Sequence, residues 1–217
     1  MPRMPPLTDL TGLAGAAVVI VGITVAVGRA LGLRRSGLAL LAGVSAIAAL
    51  APIGAVPLAG YPRGVVGDLS LTTLVLLLSG LHGHLRGAEP VEARATFALR
   101  LLVSAGGLVL YPLALGLGAW DPYRLGYGDP WFLSVLLALA LSTLLLDLPL
   151  VTICIALGML AWGLGAYESR NLWDYLLDPL VFAWALSTLL LRGARVLVRG
   201  HGRATDEALA IQVESSG

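Results

Sequence analysis

The sequence predicts an all-α protein of the polytopic membrane class, with about seven transmembrane helices. The chain is 58% hydrophobic and 12% charged, whereas a soluble domain carries about 25% charged residues. Its mean hydropathy is +0.88. The apolar residues form runs of about 16 to 24 residues, which are long enough to cross a hydrocarbon core of roughly 30 Å. A transmembrane β-barrel would instead show alternating segments of about ten residues.

The predicted spans are separated by short polar connections, so the sequence offers no room for a soluble domain. We expect one helical bundle over residues 1–196 and a short polar cytoplasmic tail at 197–217. Disorder and a brief helix starting at Thr205 are both compatible with the tail. The seven expected spans cover residues 10–31, 37–60, 66–84, 97–119, 131–146, 150–167 and 175–196.

Proline positions divide and bend these spans. The stretch 131–167 is too long for one crossing, and Asp147 followed by Pro149 after one residue supplies a break with proline at a helix start. We expect Pro52 and Pro57 to kink the second half of the second span, because proline removes a helical hydrogen bond.

Arginine placement predicts the orientation. Cytoplasmic loops carry an excess of basic residues, and alternating the loops puts ten arginines on one side and four on the other. The richer side is therefore cytoplasmic, with the N-terminus outside and the C-terminus inside. The ten are Arg29, Arg34, Arg35, Arg86, Arg94, Arg100, Arg192, Arg195, Arg199 and Arg203, and the four are Arg3, Arg63, Arg124 and Arg170.

Composition excludes several classes of function. The net charge is +1 and no basic groove appears, so we expect no nucleic-acid partner. All the basic residues are arginine, which excludes a lysine Schiff base and a P-loop lysine. Cys154 is the single cysteine, so no intramolecular disulfide can form.

Three predicted outer loops, 61–68, 120–130 and 168–174, concentrate acidic and aromatic residues. With their flanks they hold six acids and eight of the eleven Tyr and Trp residues. The acids are Asp68, Asp121, Asp129, Glu168, Asp174 and Asp178, and the aromatic residues are Tyr61, Trp120, Tyr123, Tyr127, Trp131, Tyr167, Trp173 and Tyr175. We expect the 120–131 and 168–178 segments to touch, because they share a side and carry complementary charge.

The sequence leaves open two structural roles for these residues. Asp129 and Asp178 each precede a proline, which is typical of a helix start, and Tyr and Trp favour the headgroup zone of a bilayer. If a helix instead begins near Leu172, then Asn171, Asp174 and Asp178 share one face. Asp178 would then lie about a turn below the interface, where a carboxylate usually faces a bundle interior.

The outer arginines add a second pair of alternatives. Arg124 paired with Asp121 or Asp129 would brace the loops, and an arginine fork could also hold a phosphate or carboxylate group. Unpaired acids would attract a divalent cation. We predict no metal site, and the sequence does not identify a cofactor.

The favoured function is a non-enzymatic subunit or scaffold whose outer acidic and aromatic surface binds a partner or ligand. One alternative is a membrane enzyme that acts on a lipid-linked or phosphate-bearing substrate through carboxylates and arginine, and a second is a small cation transporter or sensor. The expected partners are the lipid bilayer and another membrane subunit, in a bacterial inner membrane. The candidate binding residues are Asp121, Tyr123, Arg124, Asp129, Glu168, Arg170, Asn171, Trp173, Asp174 and Asp178.

Overall fold

The structure is a computed structural model that describes residues 7–87 and 92–214, with side chains described to residue 196. It is mostly helical, as the sequence predicts. Arg3 and the side chains of Arg199, Arg203 and Thr205, which enter the orientation and tail predictions, lie outside this description. The helices are α1 Leu7–Ala30, α2 Arg35–Leu50, α3 Gly60–Val66, α4 Leu71–Arg86, α5 Ala93–Ala114, α6 Pro130–Leu145, α7 Pro149–Gly163, α8 Leu172–Leu176 and α9 Pro179–Glu214.

Three of the described helices are long and apolar enough to cross a membrane: Thr8–Ala30 in α1, Ala93–Ala114 in α5 and Pro179–Val196 in α9. Three shorter apolar helices are α2, α6 and α7. Large apolar side chains remain exposed on their outer faces; Leu40, Ile47 and Leu145 are 70%, 75% and 84% exposed. Apolar exposure on this scale is typical of a surface that faces lipid.

The predicted kink in the second span is wrong. Helix α2 ends at Leu50, and Pro52–Ile53 (β1) pairs antiparallel with Val56–Pro57 (β2) in a short hairpin. Gly54 adopts a positive φ of 73° in the turn, a conformation that glycine reaches without steric cost. The two prolines therefore end the helix and start the return of the chain instead of bending a continuous helix.

Two packed groups of helices share α4. Helix α1 packs against α2, α3 and α4, whereas α5 packs against α7 and α9, and α6 packs against α7. Small side chains let α1 approach its neighbours closely, since Ala16, Ala17, Ala49 and Ala59 form one buried cluster. A larger core between α5, α6, α7, α8 and α9 includes Val103, Leu136, Ile155, Tyr175 and Val181.

Contacts distinguish the two ends of the bundle. At one end, Thr11 in the first turns of α1 donates a hydrogen bond to the carbonyl of Ala166, just beyond α7. At the other end, Arg29 in the last turn of α1 contacts His84 near the end of α4, with Nη1 2.6 Å from Nδ1. The first end carries the candidate site.

Candidate functional site

A layer of short elements covers this end of the bundle. We call it the cap layer, and it consists of the β1–β2 hairpin, α3, the 3₁₀ helix Pro122–Tyr127 and the segment 164–178 with α8. The predicted contact between the 120–131 and 168–178 segments is confirmed. Asn171 Nδ2 donates to the carbonyl of Tyr123 at 2.8 Å, and Trp173 Nε1 donates to the carbonyl of Pro122 at 3.0 Å.

Asn171 fixes α8 against the 3₁₀ helix. Its Oδ1 accepts from the backbone N–H of Trp173 at 3.0 Å and caps α8, while its amide group reaches the 3₁₀ helix. Asn171 is 0% exposed, so both ends of its side chain must be paired. Gly126 leaves space for it, because a Cβ there would overlap Oδ1 of Asn171. The residue holds two segments together, and its complete burial keeps it out of reach of a ligand.

Asp178 joins the start of α9 to the start of α4. Its Oδ1 accepts from the backbone N–H of Leu180 and Val181 at 2.9 and 2.8 Å. Its Oδ2 accepts from the backbone N–H and the hydroxyl of Ser70 at 2.9 and 2.7 Å, and from the hydroxyl of Thr73. The carboxylate is 5% exposed, and five donors and two helix N-termini stabilise its charge. Of the two predicted geometries, the structure adopts the helix cap.

Asp174 lies in the first turn of α8 and binds neutral donors. The Tyr123 hydroxyl lies 3.1 and 2.9 Å from its two oxygens, and the Ser169 hydroxyl also donates to Oδ2. Burial raises the pKa of Tyr123, and the neighbouring charge of Asp174 raises it further. The phenol therefore stays protonated and acts as a hydrogen-bond donor to Asp174.

Arg63 is the ionic centre of the cap layer, although it was not among the candidate binding residues. Its Nε lies 2.7 Å from Asp68 Oδ1, its Nη1 lies 3.2 Å from Asp9 Oδ1, and its Nη2 lies 3.5 Å from Glu168 Oε1. The hydrogen bond to Asp68 raises the pKa of Arg63, while partial burial opposes that rise. The interaction with Glu168 is weak, because that side chain is 68% exposed.

The predicted bracing of the loops by Arg124 is wrong within the part of the chain that the structure describes. Asp121 caps the 3₁₀ helix by accepting from the N–H of Tyr123, and Asp129 caps α6 by accepting from the N–H of Phe132. Arg124 is exposed and pairs with neither acid. Backbone N–H groups at a helix start are fixed, whereas a long arginine side chain loses entropy when it pairs.

A cavity of about 370 Å³ lies beneath the cap layer. Three of the candidate binding residues line it: Tyr123, Asp174 and Asp178. The other lining residues are Val66, Gly67, Asp68, Leu110, Tyr111, Ala114, Tyr167, Ser169, Leu177 and Pro179.

The remaining candidate residues lie outside this cavity. Glu168 and Arg170 line a separate surface pocket, and the carbonyl of Arg170 accepts from Trp162 Nε1 at 2.8 Å. Trp173 packs its ring against Phe132 with centroids 4.6 Å apart. Asp121, Arg124 and Asp129 do not line the cavity either.

Sequence reasoning missed Tyr111 and Ser169 as lining residues, and it named Asp68 and Tyr167 without placing them in a site. The predicted fourth span extends to residue 119, which puts Tyr111 well inside the membrane. Helix α5 ends at Ala114, so Tyr111 lies in its last turn and faces the cap layer. Pro112 one residue later was the available signal that the helix approaches its end.

Comparison with protein-family models, curated proteins and solved structures finds no significant match to this chain.

Proposed function

We propose that this protein is a non-enzymatic integral membrane protein that binds a ligand in the cap-layer cavity, on the non-cytoplasmic side. The observation that carries the proposal is the cavity of about 370 Å³, which the 3₁₀ helix, the segment 164–178 and Asp68 beyond α3 line with carboxylate and tyrosine side chains. Pockets that hold small ligands are typically about 300 to 1,000 Å³ and combine apolar walls with a few polar groups. This cavity has both properties.

The proposed topology has seven spans, with the N-terminus outside, in a bacterial inner membrane. The long helices begin alternately at the cap-layer end and at the opposite end of the bundle, in the order α1, α2, α4, α5, α6, α7 and α9. This alternation and the excess of arginine opposite the cap layer support the proposal. Helices α2, α4 and α6 have 16 residues each, a length of about 24 Å. That is shorter than a typical hydrocarbon core, so flanking residues or local thinning of the bilayer must accommodate them.

The bonding of the acids favours binding over catalysis. All six acids of the outer loops and their flanks bind protein partners: Asp121, Asp129 and Asp178 cap helices, Asp68 and Glu168 bind Arg63, and Asp174 binds two hydroxyls. A general acid and base pair needs carboxyl groups that are free to exchange protons with a substrate. Groups held by fixed donors are better suited to a preformed binding surface.

The apolar residues that line the bundle between Asp178 and its centre argue against a transport path. The next cavity towards the bundle centre has a volume of about 290 Å³ and is lined mainly by apolar residues such as Leu99, Leu136 and Ile155. An ion that crosses a membrane needs a continuous series of polar groups or water. The polar groups instead concentrate at the cap layer, where a ligand would bind without crossing.

Native mass spectrometry of the protein, purified in mild detergent, tests this proposal. We expect an added small-molecule mass on the wild-type chain. Ala114→Phe fills the cavity from its wall and should remove the added mass. Ala119→Phe makes the same change at an exposed position outside the cavity and should retain it. Retention of the added mass in both variants, its loss in both, or the absence of both an added mass and any binding of an added small-molecule probe would contradict the proposal.

A further inference from the structure

The lining of the cap-layer cavity has one sign of charge. Asp68, Asp174 and Asp178 contribute three carboxylates, and none of the lining residues is basic. Arg63 compensates part of this charge through its ion pair with Asp68, but among the described residues it forms no ion pair with the other two. An anionic ligand would be repelled here, whereas a cation would gain from the negative field of the walls.

The three carboxylates differ in how much of their charge is already balanced. Asp178 binds five donors at two helix starts, and Asp68 binds a guanidinium at 2.7 Å. Asp174 binds two neutral hydroxyls, which orient its oxygens and leave its negative charge in place. Asp174 is therefore the counter-ion that the cavity offers to a ligand.

Tyr167 supplies an independent sign that the cavity is built for a ligand. The residue lines the cavity and is 6% exposed, yet its hydroxyl makes no hydrogen bond with any residue that the structure describes. The charges of Asp68 and Asp178, which line the same cavity, act on this hydroxyl. The hydroxyl oxygen is not one of the sealed polar atoms that lack a partner, so it faces open space, where a ligand group can bind to it.

Aromatic rings give the cavity a second way to bind a positive charge. Tyr111, Tyr123 and Tyr167 all line it, and the face of a tyrosine ring attracts an ammonium group. The ring of Tyr167 is held in place by stacking on Tyr175, with centroids 4.8 Å apart. Carboxylates with aromatic walls are the combination that recognises organic ammonium ions.

A bare metal ion fits these observations poorly. Ca²⁺ and Mg²⁺ bind six or more oxygens at about 2.0 to 2.6 Å, and such a shell would occupy a small part of a cavity of about 370 Å³. Within the described residues, no group of three or more His, Cys, Asp or Glu is arranged to hold a metal. An organic cation fills the volume and uses the apolar walls formed by Leu110, Leu177 and Pro179.

We propose that the cap-layer cavity binds a small organic ammonium ion, with Asp174 as its counter-ion, Tyr167 as its hydrogen-bond acceptor and the tyrosine rings as its walls. This assignment rests on the proposed ligand-binding function of the same cavity and specifies the chemistry of the ligand.

Isothermal titration calorimetry on the full chain in detergent tests the assignment with matched probes. Choline is compared with its neutral carbon isostere 3,3-dimethyl-1-butanol, n-butylammonium is compared with 1-butanol, and calcium chloride serves as the metal arm. We expect at least one ammonium probe to bind at least about tenfold more tightly than its neutral partner. Equal binding of charged and neutral partners, binding of calcium alone, or no binding of either ammonium probe would overturn the proposal.

Two substitutions identify the cavity as the site. Asp174→Asn removes the counter-ion and should weaken ammonium binding at least about tenfold, whereas Asp129→Asn makes the same change at a cap outside the cavity and should leave affinity unchanged. Tyr167→Phe removes one oxygen and should weaken n-butylammonium, which has N–H groups to donate, whereas Tyr61→Phe should not. Tyr167→Phe keeps the proposal testable if Asp174→Asn does not fold. Equal affinities in each variant and its control would contradict the assignment.

These results are distinguishable from failure of the proposed function. A neutral or anionic molecule that co-purifies with the wild type and is lost in Ala114→Phe would support ligand binding and contradict the ammonium assignment. Ammonium binding without a co-purifying molecule would support the assignment and show that the site is emptied on purification.

Discussion

Replacing Asp178 with alanine is expected to lower the free energy of unfolding by roughly 3 to 5 kcal/mol, because each buried donor left without an acceptor costs about 1 to 3 kcal/mol and several are affected at once. The change leaves five donors without their acceptor, at the starts of α4 and α9. These N–H and hydroxyl groups are buried or half-buried, so water replaces the carboxylate poorly. A reversible unfolding titration in mixed detergent and SDS micelles measures the loss.

Asp129→Ala is the matched control for this prediction. Asp129 also precedes a proline and caps a helix, but it accepts from a single N–H, that of Phe132 at 2.9 Å. Loss of an ordinary N-cap costs about 1 kcal/mol. Similar losses for the two alanine variants would show that Asp178 is an ordinary cap and that it does not link α4 to α9.

The second large effect is expected at Gly126. Gly126→Ala places a Cβ where Asn171 Oδ1 lies, so the 3₁₀ helix and α8 must separate or Asn171 must leave its two partners. Overpacking of this kind costs roughly 1 to 3 kcal/mol, and we expect the upper part of that range. The same micelle titration measures the loss, and near-UV circular dichroism of Trp173 and its neighbours reports the separation.

Gly163→Ala controls for the intrinsic effect of replacing glycine by alanine. A Cβ at Gly163, the last residue of α7, meets nothing within 4 Å, so we expect a change between zero and a gain of about 1 kcal/mol. If Gly126→Ala were as well tolerated as Gly163→Ala, the close contact between the 3₁₀ helix and α8 would be refuted.

The all-α fold with helices apolar enough to cross a membrane could be predicted, because both features depend on composition and on the length of apolar runs. The helix start after Asp129 was also readable, because a carboxylate precedes a proline there. The sequence left open whether a helix begins after Asn171 or after Asp178, and the structure has a helix start at both.

The helix ends opposite the cap layer were readable to within two residues, since spans predicted to end at 31, 84 and 146 end at Ala30, Arg86 and Leu145. The helix ends next to the cap layer were not. The predicted spans 37–60 and 97–119 run past the helix ends at Leu50 and Ala114, because apolar residues in the cap-layer connections resemble those of a span.

The convergence of the outer loops could be predicted in part. The 120–131 and 168–178 segments were expected to meet because they share a predicted side of the membrane and carry complementary charge. The hydrogen bonds that join them instead come from Asn171, Trp173 and a tyrosine hydroxyl. The sequence did not show which arginine would bind the acids. Arg63 meets Asp9 and Glu168 across 54 and 105 residues of sequence, and no local pattern encodes contacts that the packing of helices creates.

No sequence pattern indicated the cavity directly. Its walls come from the end of α3, the last turn of α5, the 3₁₀ helix and the segment around α8, so its existence depends on where each helix stops. An error of one turn in α5 was sufficient to hide Tyr111 from the site.

The central claim is that the cap layer lies on the non-cytoplasmic side of a seven-span bundle, and cysteine labelling tests it most directly. In a Cys154→Ala background, Arg124→Cys places a thiol at an exposed position in the cap layer, and Ser36→Cys places one at the exposed opposite end. In right-side-out membrane vesicles, a membrane-impermeant maleimide should label Arg124→Cys before permeabilisation and Ser36→Cys after it. Labelling of both positions from the same side, or of Ser36→Cys alone in intact vesicles, would contradict the account.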